Sequence, residues 1–83
     1  MNRSEVLDIV RAELAVAAPD VPPDADPNAH FGHDLEVDSL AVLEFVARLE
    51  YRFGIAVPDE AWPGLTSIDA VVDHLEQHLV VAP

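Results

Sequence analysis

Residues 38–54 read DSLAVLEFVARLEYRFG and carry the strongest helical signal in the chain. Apolar side chains recur there three or four positions apart, as they do along one face of an α-helix. They form two rows, Leu40, Leu43, Val46 and Ala47 in one and Val42, Phe45, Leu49 and Phe53 in the other. So wide an apolar stripe predicts the central helix of a bundle. Asp38 is suited to the N-cap, which makes Ser39 the first helical residue, and Gly54 is suited to end the helix.

Weaker periodic patterns predict a helix on either side of this segment. The first runs from about residue 4 to residue 18, with Ser4 as its N-cap. The last follows Thr66 in a stretch that resembles a capping box, and it is predicted to continue to about Val80. Its predicted inward-facing residues are Ile68, Val71, Val72, Leu75 and Leu79.

The connecting segments complete the predicted fold. Four prolines make residues 19–37 a long loop, from which Phe31 and Leu35 are expected to pack back on the core. Residues 59–62 have room only for a short helical turn before Pro63 and Gly64. The sequence therefore predicts an all-α fold, a small four-helix bundle of three longer helices and one short one. A single domain over residues 1–83 is expected.

Composition restricts the partners and the chemistry. The net charge is −12, with four arginines and no lysine, so nucleic acid and anionic membranes are poor partners and a basic patch on another protein is a better one. No cysteine is available for a disulfide, a thiol nucleophile or a thiolate metal site. No apolar run is long enough to span a membrane. We expect a cytoplasmic monomer.

One hydroxyl group stands out, because Ser39 follows a loop and begins a helix. Free N–H groups and the positive end of the helix dipole would favour a phosphate esterified there. Leu35 and Leu40 are expected to anchor the site to the core while the hydroxyl points outward. Serine is also common at helix starts for purely structural reasons, so position alone leaves both interpretations open.

Three blocks of sequence, taken in order, resemble the acyl carrier protein family. The first is a Phe-x-x-Asp-Leu-x-x-Asp-Ser-Leu pattern formed by Phe31, Asp34, Leu35, Asp38, Ser39 and Leu40. The second, residues 49–58, resembles the family's exit from the same helix, and the third, residues 66–71, resembles the start of its last helix. The Asp-Ser-Leu form favours an acyl carrier over a peptidyl carrier, in which Gly-x-Ser is usual.

The resemblance implies a function and a set of site residues. Ser39 would receive 4′-phosphopantetheine from coenzyme A through a separate phosphopantetheinyl transferase that uses Mg²⁺, with Asp38 and Leu40 flanking the cofactor. The chain would then carry acyl groups as thioesters to acyl-loading and acyl-processing enzymes such as a ligase, an acyltransferase or a ketosynthase, without being an enzyme itself. Glu44, Asp34 and Glu36 would serve in docking.

The chain also departs from the family pattern. Glu36 occupies a position that is usually glycine, and Ala41, Tyr51 and Arg52 occupy positions that are often acidic in fatty-acid carriers. Because Glu44 is also expected to pair with Arg48, the docking helix is close to neutral. We therefore expect a dedicated partner set from a polyketide or other specialised pathway. The wide apolar face of the helix could shelter an acyl chain near Leu43, Val46, Ile55, Leu65 and Ile68, or these residues could simply be core.

Three other sites are conceivable from the sequence, and none of them fits as well. A triad of Ser39, a histidine and an aspartate is rejected, because the sequence has no nucleophile elbow. The pattern Asp24-x-Asp26-x-Asn28 begins like a calcium loop but lacks its glycine and final glutamate. The pairs His30 with His33 and His74 with His78 have spacings that suit zinc, yet we expect ordinary surface histidines and no metal site. The alternative that stays open is an acidic helical interaction module without a cofactor.

Overall fold

The central helix has the boundaries that its sequence predicts. A computed structural model describes residues 1–78, and in it α2 spans Ser39–Phe53. The Asp38 carboxylate caps the first turn by accepting from the Ala41 N–H at 2.8 Å. Gly54 ends the helix in the left-handed conformation, with φ of 66°.

All regular structure in residues 1–78 is helical. In chain order, α1 spans Arg3–Ala17, α2 follows after a long loop, a short 3₁₀ helix spans Asp59–Gly64, and α3 spans Ile68–His78. The predicted all-α, four-helix architecture is confirmed. The short helix is longer than predicted, because the 3₁₀ turn includes Pro63 and Gly64 rather than stopping before them.

The predicted N-caps of the other two helices are wrong by one or two residues. Asn2, not Ser4, caps α1, since its side chain accepts from the Glu5 N–H and the Glu5 carboxylate accepts in return from the Asn2 N–H. Ser67, not Thr66, caps α3 through its Oγ, which accepts from the Ala70 N–H at 3.1 Å. The predicted end of this helix near Val80 and the inward-facing Leu79 lie outside the described residues.

Phe45 lies at the centre of the core. Its side chain is fully buried on α2 and meets the ring of Phe31 edge-on, with the ring centroids 5.7 Å apart. The helix α1 packs against both α2 and α3, and the residues that share this core include Val6, Val10, Leu14, Val46, Leu49, Ile68, Val71, Val72 and Leu75. The predicted packing of Phe31 and Leu35 back on the core is confirmed.

Only part of the apolar surface of α2 is core, and the outer row formed by Leu40 and Leu43 is not. Leu40 is 78% exposed and Leu43 50% exposed, whereas Phe45 and Leu49 are buried. The expectation that Leu40 anchors the site to the core is therefore wrong. The physical reason is that α2 has α1 against one side only, and no other long helix in residues 1–78 lies over the outer row.

The long loop is held by hydrogen bonds to α1 and to the segment that precedes α3. The Arg11 guanidinium donates to the carbonyls of Pro23 and Ala25 at 3.1 and 3.0 Å. Further along, the Phe31 N–H donates to the Thr66 carbonyl at 2.8 Å. These contacts place the end of the loop, and with it the start of α2, beside the segment that precedes α3.

Arg48, which was predicted to pair with Glu44, pairs instead with Glu13 on α1. The Arg48 Nε donates to Glu13 Oε1 at 3.0 Å, and an Arg52 nitrogen lies 3.7 Å from the other carboxylate oxygen. No Glu44–Arg48 ion pair forms, so that prediction is wrong. The Glu13 side chain is only 10% exposed, and a largely buried carboxylate draws a guanidinium more strongly than an exposed one does.

This arrangement predicts unequal effects of removing the two partners. Arg48→Met leaves the Glu13 carboxylate largely buried with only the more distant Arg52, so the free energy of unfolding should fall by about 1–3 kcal/mol. Glu13→Met leaves two half-exposed arginines that water can solvate, and its cost should be smaller. Urea denaturation of both variants measures the difference, and an equal or larger loss for Glu13→Met would contradict the prediction.

Candidate functional site

Ser39 lies exposed at the N-terminus of α2, as predicted. Helix geometry leaves the N–H groups of Ser39 and Leu40 without acceptors inside the helix, while Asp38 occupies that of Ala41. These free donors and the positive end of the helix dipole fit a phosphate esterified to the Ser39 hydroxyl. Leu40, expected to flank the cofactor, lies next to this position but projects into solvent.

The turn before Ser39 is organised around one histidine side chain. The His30 Nδ1 accepts from the N–H groups of both Gly32 and His33 at 3.0 Å. The Asp34 carboxylate accepts in turn from the His30 N–H at 2.7 Å. Histidine therefore caps this turn in the manner usual for aspartate or serine. Sequence reasoning missed this role, because the spacing of His30 and His33 along the chain suggested only a metal site.

Glu36 adopts a left-handed backbone conformation two residues before Asp38, with φ of 56°. It is the only non-glycine residue with positive φ in residues 1–78. In the acyl carrier protein pattern that the sequence resembles, this position is usually glycine. Glycine is the residue for which such a φ costs least. The glutamate is tolerated, and its exposed side chain projects from the loop beside the site.

An open cleft of about 460 Å³ lies beside Ser39. It is bounded by the turn at His30, the outer side of α2 and the 3₁₀ helix, and its lining is mostly apolar: Phe31, Val37, Val42, Leu43, Trp62 and Leu65. Of the five residues predicted to shelter a chain, only Leu43 and Leu65 line it. Val46 and Ile68 are fully buried core, and Ile55 packs on the core from outside the cleft.

The histidine pairs and the acidic loop do not assemble metal sites within residues 1–78, where no three potential ligands meet. His74 and His78 stack with ring centroids 4.1 Å apart, and burial, together with the neighbouring His78, lowers the pKa of His74. In the loop, Asp26 accepts from the Asn28 N–H at 2.9 Å and thereby forms a local turn.

Comparison with known proteins matches the chain to a family. The phosphopantetheine attachment site family matches residues 4–75, which is most of the chain. The chain belongs to the acyl carrier protein family. It is 33% identical over 78 residues to the acyl carrier protein of Rubrobacter xylanophilus, covering 94% of this chain and 96% of that protein. It is 37% identical over 75 residues to that of Thermosynechococcus vestitus, covering 90% and 93%.

Family membership establishes the function at the level that the family shares. The chain is an acyl carrier protein with covalently attached 4′-phosphopantetheine, a carrier rather than a catalyst. It interacts with a phosphopantetheinyl transferase and with acyl-processing enzymes. The cofactor-free interaction module is therefore set aside. No helix in residues 1–78 is long and apolar enough to cross a membrane.

The left-handed Glu36 predicts a small gain in stability from glycine. Glu36→Gly removes about 1–2 kcal/mol of backbone strain, against which the unfolded chain gains about 0.4–1 kcal/mol of conformational freedom. The free energy of unfolding should therefore rise by about 0.5–1 kcal/mol, as measured by urea denaturation. Glu36→Ala removes the same charge but keeps a Cβ, so it should show no such gain; an equal gain would mean that charge, not φ, is responsible.

Proposed function

We propose that Ser39 is the residue that receives the 4′-phosphopantetheine arm in this carrier. The observation that carries the proposal is its position, an exposed hydroxyl on the first residue of α2 that also lines the apolar cleft. The other serines have different surroundings: Ser4 lies in the first turn of α1, and the Ser67 Oγ is engaged in capping α3. A transferase can therefore reach Ser39 without breaking a hydrogen bond of the fold.

Each residue around Ser39 has a definite part in this proposal. Asp38 holds the first turn of α2, so that the serine hydroxyl projects from a rigid helix rather than from a loop. The free N–H groups of Ser39 and Leu40 favour the negative charge of the phosphodiester. The bound group supplies the thiol that this cysteine-free chain lacks. Because the arm tethers the cargo to a docked carrier, it raises the effective concentration of cargo at each partner.

The outer surface of α2 supports a dedicated set of partners. Glu44 is exposed near its start, whereas Arg52 and the 93% exposed Tyr51 lie near its end. A partner protein that docks on this helix would therefore contact an acid at one end and an aromatic ring with a cation at the other. Exposed Asp34 and Glu36 extend the acidic part onto the loop. We infer from this mixture a polyketide or other specialised pathway rather than general fatty-acid synthesis.

We further propose that the chain works as a monomeric carrier domain in the cytoplasm. The absence of cysteine and the acidic, lysine-free composition agree with this assignment. Partner enzymes of matching chemistry would carry basic patches for Glu44, Asp34 and Glu36.

Modification of Ser39 is tested by intact mass. Incubation with coenzyme A, Mg²⁺ and a promiscuous phosphopantetheinyl transferase should add the mass of one phosphopantetheine to the native chain. Ser39→Ala should show no gain, whereas Ser4→Ala, a matched first-turn serine, should be modified like the native chain. A gain that persists in Ser39→Ala would place the attachment elsewhere, and no gain with several transferases would count against the assignment.

Partner selection is tested by exchange. A general fatty-acid synthase set should elongate cargo on the native carrier poorly, and Tyr51→Glu with Arg52→Glu should raise kcat/KM by about tenfold, which corresponds to about 1.4 kcal/mol. Gln77→Glu adds an acid on α3 instead and should leave the rate unchanged. Efficient elongation on the native carrier would overturn the assignment to a specialised pathway.

A further inference from the structure

One residue that lines the cleft beside Ser39 carries a hydrogen-bond donor that the fold leaves unused. Trp62, the sole tryptophan, lies on the 3₁₀ helix and lines the cleft. Its indole Nε1–H is buried and has no acceptor among residues 1–78. A buried donor without an acceptor is unfavourable, so buried tryptophan N–H groups usually find a partner. Because Nε1–H has no hydrogen bond to give up, turning the ring toward a new acceptor breaks none.

A second donor lies in the lining of the same cleft. Because the His30 Nδ1 accepts two backbone N–H groups, the neutral ring carries its proton on Nε2. The other polar side chains of the lining are the hydroxyls of Ser39 and Thr66, and no carboxylate or amide side chain is among them. The residues that line the cleft thus combine apolar side chains with two N–H donors and include no purely accepting side chain.

We propose that this cleft binds an acyl chain that bears a ketone or hydroxyl oxygen, and that Trp62 recognises the oxygen through its Nε1–H. This inference rests on the proposed attachment at Ser39, which places the cargo at the cleft entrance. A saturated chain would satisfy the apolar walls but leave the indole N–H unpaired. An oxygen near the thioester would satisfy both, so the lining favours oxygenated cargo over a plain alkyl chain.

The single tryptophan provides a direct readout of this hydrogen bond. Coenzyme A analogues with an amide-linked octanoyl or 3-oxooctanoyl group can be loaded onto the carrier by the transferase. A ¹H–¹⁵N correlation spectrum then shows one indole signal for each form. We expect a larger downfield shift with the 3-oxooctanoyl group than with the octanoyl group or with the arm alone.

A cycle of residue against cargo separates hydrogen bonding from packing. Octanoyl and 3-oxooctanoyl thioesters are loaded on the native chain and on Trp62→Phe, and the rate of cleavage by hydroxylamine measures how far each is sheltered. For each protein, the rate for the octanoyl thioester is divided by the rate for the 3-oxooctanoyl thioester. Comparing this ratio between the native chain and Trp62→Phe cancels the intrinsic reactivities of the two thioesters. One neutral hydrogen bond should make this ratio differ about two- to tenfold between the native chain and Trp62→Phe.

Each alternative result would overturn the proposal. Equal indole shifts for octanoyl and 3-oxooctanoyl cargo would show that Trp62 does not sense the oxygen. A full shift with the arm alone would assign the acceptor to an amide carbonyl of the arm. A rate ratio unchanged in Trp62→Phe would assign the effect to packing. Intact mass verifies loading in every sample, so these failures differ from a failure of attachment at Ser39.

Discussion

The hydrogen bond between the Asp38 carboxylate and the Ala41 N–H determines where the functional helix begins. Asp38 also accepts from the Val42 N–H through its carbonyl, so the residue ends the loop and starts α2 at the same point. The end of the preceding loop is fixed in position, because the Phe31 ring is buried against Phe45 and the Phe31 carbonyl accepts from the Val37 N–H. Ser39 is consequently held on a rigid element and remains exposed.

The core and the site share α2 by dividing its surface. Phe45, Val46 and Leu49 are buried in the core that α2 shares with α1, whereas Leu40 and Leu43 form an outer row that remains exposed. Because the 3₁₀ helix and the turn at His30 stand away from this outer row, a cleft forms there instead of more core. An apolar surface left open beside an attachment point is useful to a carrier, since a cargo chain can cover it.

Three of the four arginines of this acidic chain hold parts of the fold together. Arg3 binds Asp69, Asp73 and Glu76, which ties the start of α1 to α3, and the hydrogen bonds with Asp73 and Glu76 raise the pKa of Arg3 further above its usual range. Arg11 holds the long loop, and Glu13 draws Arg48 onto α1. No arginine pairs with Asp34, Glu36 or Glu44 within residues 1–78, so these acids remain available to partner proteins.

By itself the sequence determined the helices, the family and the attachment residue that we propose. Periodicity, the Asp38 cap and Gly54 are local signals, and they predicted α2 to the residue; the Asn2 cap was equally local but was overlooked beside Ser4. Tertiary structure alone decided which apolar residues of α2 are buried, since helical spacing places Leu40, Phe45 and Val46 on apolar rows but does not say which of them another helix covers. It also decided the Glu13–Arg48 pair and the unpaired indole of Trp62, because each depends on groups that only folding brings together.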